Sequence, residues 1–173
     1  MKNLNHDLKI LQNCLLTHNY VENCNIIAKQ KKVAYFEKIV FSTFQYATKE
    51  MQWLSCTGGN FSVRSSLLAE AGMFDENYGR IWGGEDIELG YRFHKIGASF
   101  YYSESAYNYH LDHYRCDFEN AIKYSCIYFY KKHPDTIIRN LSKLLLGEID
   151  TIEDYLTESN APSGAVPDLY ASH

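Results

Sequence analysis

The stretch Trp82-Gly83-Gly84-Glu85-Asp86-Ile87-Glu88-Leu89-Gly90-Tyr91-Arg92 joins two glycines to a run in which acids and apolar residues recur at helical spacing. It predicts a helix from Glu85 to Ile96 that Gly97 ends. Acids in the first turn sit at the positive end of the helix dipole, where backbone amides point outward. A carboxylate delivered there by Gly83 and Gly84 can hydrogen-bond a hydroxyl and take its proton. Glu85, Glu88 and Arg92 fall three, four and seven residues apart, so Arg92 can pair with these acids and fix their orientation. The same residues read equally as a dipole-satisfied, surface-paired helix start without chemistry.

Working outward towards the N-terminus, Trp53 to Thr57 reads as a short strand running into Gly58-Gly59-Asn60, with Phe61-Ser62-Val63 extended beyond it. Two adjacent glycines let backbone approach a ligand closely; Asn60 is either part of such a site or an ordinary turn former. Ser65 and Ser66 can start a short helix over Leu67 to Ala71, which Gly72 stops. Asn77-Tyr78-Gly79-Arg80 has the composition of a mobile loop. Trp82 either gates a site or plugs a hydrophobic gap.

Towards the C-terminus, Ala98 to Tyr102 alternates as a strand does, and a second extended piece reaches His110. His110-Leu111-Asp112-His113 with Cys116 brings imidazoles that can ligate divalent metals. Structural zinc is disfavoured, because no second cluster completes four ligands; His113 reads as a structural residue. Asp117 can cap a helix with Phe118, Ile122 and Phe129 inward, finished at His133-Pro134. Asp135 opens another, with Ile137, Leu141, Leu144 and Leu145 as its apolar stripe and Gly147 as its stop. Asp150 and Glu153 have capping-box spacing for a last helix, and the tail after Ser159 is rich in Ala, Pro, Ser and Gly. Near the start, Asp7 can cap a helix carrying Leu8, Leu11 and Leu15, and Val33 to about Lys49 is helical in period, while its β-branched and aromatic content also suits a strand.

The 173 residues, 46% hydrophobic and 22% charged, suffice for one core. A net charge of -4 with scattered lysines excludes an electrostatic case for nucleic acid. No stretch approaches the roughly 20 apolar residues of a membrane span, and the first residues lack a signal-peptide h-region. Five cysteines without CxxC spacing argue against a disulfide framework, and the cytoplasm is the expected compartment. Aromatic residues reach 15%, with 15 tyrosines, a composition that suits either a sugar-binding face or a tyrosine-rich core.

Five motifs follow in fixed order: Cys56-Thr57-Gly58-Gly59-Asn60-Phe61-Ser62-Val63-Arg64, Ala71-Gly72-Met73-Phe74-Asp75-Glu76, Trp82 to Arg92, Ile96-Gly97-Ala98-Ser99-Phe100-Tyr101-Tyr102, and His110. Together they resemble the C-terminal half of GT-A glycosyltransferases, similar to family 2 enzymes and to the β-1,4-galactosyltransferase and polypeptide N-acetylgalactosaminyltransferase C-terminal domains. The resemblance covers the middle of the chain. It implies an α/β fold: an incomplete GT-A-like half-domain with a small mixed sheet flanked by several helices and a mainly helical C-terminal part. It implies a catalytic segment over 51–115, between an N-terminal helical segment (1–50) and a helical continuation (116–158) followed by a flexible tail (159–173).

For the site, the resemblance implies Asp86 as the base that deprotonates an acceptor hydroxyl and Glu85 as its acceptor-binding neighbour. It further implies Trp82 on a closing loop, with Gly58, Gly59 and Asn60 lining the donor side. Gly83, Gly84 and Arg92 complete the acceptor and donor surroundings, and His110 is implied as a ligand to Mn2+ or Mg2+. The substrates implied are a nucleotide-sugar donor and a saccharide or other hydroxyl acceptor. The chain departs from the pattern in having no Asp-x-Asp motif and few residues before Cys56. Glu148-Ile149-Asp150 is the nearest pairing and lies between helices. The alternatives are therefore one subunit of a split enzyme whose partner chain carries the nucleotide-binding half, a fragment, or a non-catalytic carbohydrate-binding or scaffolding remnant; an exposed half-fold is expected to self-associate or to hold a tight partner.

Overall fold

A computed structural model describes residues 35–46, 49–80, 83–103, 105–106 and 116–161. The expected first helix on Leu8, Leu11 and Leu15 lies outside them, as do Trp82, His110, Asp112 and His113. The described elements are α1 (Tyr35–Gln45), a 3-10 helix (Lys49–Ser55), α2 (Ser65–Glu70), a second 3-10 helix (Glu76–Arg80) and α3 (Glu85–Lys95). After these come α4 (Phe118–Lys132), α5 (Thr136–Arg139), α6 (Leu141–Leu146) and α7 (Ile152–Asn160).

The small mixed sheet expected from the sequence is not there: no strand occurs among the described residues. Trp53 and Leu54, read as strand, lie in the 3-10 helix, with Met51, Trp53 and Leu54 wholly buried. A short apolar run buried on all sides carries no period that separates strand from helix, and here packing on α3 decides. Ala98–Tyr102 alternates in hydropathy yet forms no ladder; Tyr101 is 90% exposed while Phe100 packs inward. Alternation supplies a buried and a solvated side, but not a neighbouring strand to take the backbone hydrogen bonds.

Helix α3 is the central element. Ile87 and Tyr91, four residues apart, face a large apolar cluster with Trp53, Ile122, Phe129, Leu144 and Tyr155. Leu89 and Phe93, also four apart, face a smaller one with Cys56 and Ala71. Edge-to-face ring contacts join Trp53 to Tyr91 at 5.3 Å and to Phe129 at 5.9 Å. Gly90 makes the approach of the 3-10 helix possible, because a Cβ there would stand 2.6 Å from the Cys56 Cβ and would collide with the Trp53 carbonyl oxygen.

Helix ends follow local chemistry. Asp135 accepts the Ile137 N–H at 3.2 Å and caps α5, and the Thr151 hydroxyl accepts the Asp154 N–H at 3.1 Å and caps α7. The helix expected to run from Asp135 to Gly147 is instead α5 and α6, which meet at Asn140; Ile138, Leu141 and Leu144 are the buried side chains. Gly72, Gly97 and Gly147 end their helices with φ of 85°, 79° and 74°. No helix among the described residues is long and apolar enough to cross a membrane.

Candidate active site

Gly83 and Gly84 are both left-handed, with φ of 83° and 88°, and they turn the chain directly into the first turn of α3. The Gly84 carbonyl accepts the first helical bond, from the Glu88 N–H at 2.8 Å. The floor under this turn is α4. The buried Ser125 hydroxyl donates to the Gly83 carbonyl, and a Cβ on Gly84 would run into the Ser125 Oγ. Glycine at 84 is thus demanded twice, by backbone conformation and by the wall it rests on.

The turn leaves Glu85 and Asp86 half-buried. The Asp86 Oδ2 accepts the Gly58 N–H at 2.5 Å, and Oδ1 accepts the Ile87 N–H at 2.8 Å. Asp86 therefore bridges α3 to the Gly58-Gly59-Asn60 turn, and that turn is tied onward by Asn60 Nδ2, which donates to the Ala106 carbonyl at 2.8 Å. A Cβ on Gly58 would sit 3.3 Å from the Asp86 Oδ2, so the glycine gives the carboxylate room to reach the amide. None of the ion pairs among the described residues involves Asp86 or Glu85. Each carboxylate oxygen of Asp86 has a further lone pair with which to meet a hydroxyl. Behind it, burial and then the negative Asp86 push the Cys56 thiol up to about 12, which removes that sulfur as a nucleophile.

Arg92 is committed elsewhere. Its Nε donates to Glu88 Oε1 at 2.9 Å and Nη2 to Oε2 at 2.9 Å, while Nη1 donates to the Ala71 carbonyl at the end of α2. Of the two acids within helical reach, Glu88 takes the arginine. Glu88 is fully buried and also contacts His133 Nε2 at 2.7 Å and Lys132 Nζ at 3.0 Å. Lys132 reaches on to Asp75 at 2.7 Å, where Tyr128 and Asn77 donate as well. Burial works to raise the Glu88 carboxyl, but the hydrogen bonds from His133, Arg92 and Lys132 outweigh it and hold the group down at about 2. Asp75 is held still lower, chiefly by Lys132. This hub escaped sequence reading, because His133 lies 45 residues from Glu88 and Lys132 lies 57 from Asp75 along the chain. Ser125 was equally invisible, as a helical serine carries no positional signal of its own.

The structure thus brings together Gly58, Asp86, Glu85, Gly83 and Gly84, with Asn60 on the same turn as Gly58, whereas Arg92 is held by Glu88 and the Ala71 carbonyl. Trp82 and His110 lie outside the described residues. No group of three or more His, Cys, Asp or Glu that could hold a metal occurs among the described residues. Two surface clefts, lined by Glu148, Asp150 and Glu158 and by Lys38, Tyr46 and Glu153 among others, do not include Asp86.

No family model and no solved structure matches the chain. Curated relatives do. A stretch of 96 residues, 54% of the chain, is 33% identical to validoxylamine A glucosyltransferase of Streptomyces hygroscopicus subsp. jinggangensis, and it covers 22% of that protein. Another of 56 residues, 32% of the chain, is 44% identical to chondroitin synthase of Escherichia coli, covering 8% of it. A third of 54 residues, 31% of the chain, is 38% identical to hyaluronan synthase of Pasteurella multocida, covering 6%. The match spans about a fifth of the length of the first relative and less of the others. Over part of its length, then, this chain is similar to a glucosyltransferase and to two polysaccharide synthases.

Proposed function

We infer that the chain is the acceptor-side component of a glycosyltransferase that moves a sugar from a nucleotide-diphosphate donor to a hydroxyl, with Asp86 as the base. The observation that carries this is the Asp86 carboxylate, delivered by two left-handed glycines, steadied by the Gly58 amide at 2.5 Å and bound to no cation among the described residues. An acceptor hydroxyl is a poor nucleophile until its proton is taken. In the reaction, the acceptor O–H gives its proton to an Asp86 oxygen as the new bond to the sugar's anomeric carbon forms. The bond from that carbon to the diphosphate breaks, and the electron pair leaves with the diphosphate. Glu85, beside the base, is assigned to an acceptor hydroxyl, and Trp82 to closing over the substrates. The relatives' names, a glucosyltransferase and two polysaccharide synthases, support sugar transfer as the chemistry.

We assign His110 to a manganese or magnesium ion that would neutralise the departing diphosphate, with its other ligands on a nucleotide-binding half. The test is Asp86→Asn in the assembly recovered from the native cells. Transfer should fall by about 10²–10⁴-fold, the range for a lost general base, with the fold intact by circular dichroism. Turnover at the wild-type rate in that variant would remove Asp86 from the mechanism.

A further inference from the structure

We propose that Ser125, on α4 and remote from Asp86 in sequence, is a positioning residue for the base: it locks the Gly83-Gly84 turn and so sets where the Asp86 carboxylate stands. The inference rests on the role given to Asp86 above, but its geometry can be tested apart from that role. Two successive glycines would ordinarily make a hinge. Here they do not behave as one. The Ser125 hydroxyl donates to the Gly83 carbonyl from a position only 2% exposed, which fixes the plane of the Gly83–Gly84 peptide. A Cβ on Gly84 would run into the Ser125 Oγ and would also lie 3.8 Å from Tyr78 Cε1, so the hydroxyl and the ring together close the space beside that α-carbon. Tyr78 is in turn held edge-on by Tyr128 of the same α4, at 4.9 Å between ring centres.

Helix α4 therefore supplies both the hydrogen bond and the wall that define how α3 begins. Asp86, two residues beyond Gly84, inherits that orientation and meets the Gly58 N–H. Loss of the Ser125 hydroxyl frees the Gly83 carbonyl inside a buried wall. The peptide plane can then rotate, and the first turn of α3 moves with it. The side chains that hold the body of α3, namely Ile87, Glu88, Tyr91 and Phe93, are untouched, so the effect stays local.

The experiment compares wild type, Ser125→Ala, Asp86→Asn and a control on the exposed side of α4, Lys123→Ala, in the full chain. Amide hydrogen exchange is read at Gly58 and at Phe129 in the α4 interior, and transfer is assayed in the native assembly. In Ser125→Ala the Gly58 amide should exchange about fivefold faster, the scale of one lost hydrogen bond, with Phe129 and the control unchanged. Its kcat should fall about tenfold with KM within about twofold, the pattern of a displaced catalytic group. An unchanged Gly58 rate, or Gly58 and Phe129 accelerating together, overturns the proposal. So does an unchanged kcat where Asp86→Asn is inactive. Wild-type turnover in Asp86→Asn overturns the base instead, and the Gly58 exchange rate still decides whether Ser125 sets the turn.

Discussion

Gly90 shows how a single missing methyl governs this molecule. In an exposed helix, replacing glycine by alanine gains up to about 1 kcal/mol through backbone entropy. At position 90 the added Cβ collides with the Trp53 carbonyl and stands 2.6 Å from the Cys56 Cβ. The colliding atom is backbone and cannot step aside. Overpacking of this kind costs about 1–3 kcal/mol, so the steric term exceeds the propensity gain. Gly90→Ala should lower the urea midpoint without changing the slope; a midpoint at or above that of wild type would show that the helix and the 3-10 turn part easily. Sequence reading treated Gly90 only as one letter of a motif, because its meaning depends on Trp53 and Cys56, which no local period brings next to it.

At the level of elements, the tie between α3 and α4 is electrostatic as well as apolar. Glu88 sits at its centre, held down at about 2 against an ordinary value of 4.5. A carboxyl whose folded value is depressed contributes stability that is present above its unfolded value and is lost as pH falls through the folded one. The window is therefore pH 4.5 down to about 2, and the amount is roughly 3 kcal/mol. Wild type should lose stability across that window in denaturant titrations. Glu88→Gln should start lower at neutral pH, since Arg92, Lys132 and His133 lose the carboxylate they share, but should show a shallower fall on acidification. Parallel profiles would take Glu88 out of the acid response. The helical elements were largely legible: α3 begins at Glu85, α4 follows Asp117 and stops before His133-Pro134, and Gly72, Gly97 and Gly147 end helices as their type suggests. The strands were not, because Trp53-Leu54 and Ala98–Tyr102 satisfy the local rules of a strand and fail only for want of a ladder. For the site, the local geometry around Glu85 and Asp86 followed from the glycines and the helix start. The Gly58 contact spans 28 residues and needed coordinates.

Across the described residues as a whole, α3 belongs to both apolar clusters, so neither can be lost without disturbing the other. Phe129→Ala in the larger cluster and Phe93→Ala in the smaller should each cost about 3–5 kcal/mol. Both should shift one common calorimetric transition; a second, separate transition in either variant would show that the clusters melt independently. The surface carries Tyr46, Met73, Phe74, Tyr101 and Tyr124 largely exposed, and Tyr102 rests on the Phe41 and Phe44 rings at 5.7 and 5.5 Å. Among the described residues, the aromatic rings divide between core ones such as Tyr91 and Tyr155 and these solvent-facing ones.

The paired glycines at 83 and 84 also bear on inheritance. Every missense change in a glycine codon introduces a β-carbon, and at both positions the backbone lies where side-chain-bearing residues are rare. At 84 the α4 wall closes off the remaining space as well. Lineages that still depend on the carboxylates beyond this turn should therefore keep both codons, while one that has given up the chemistry is free to let them drift, so the two letters before Glu85 serve as a record of use.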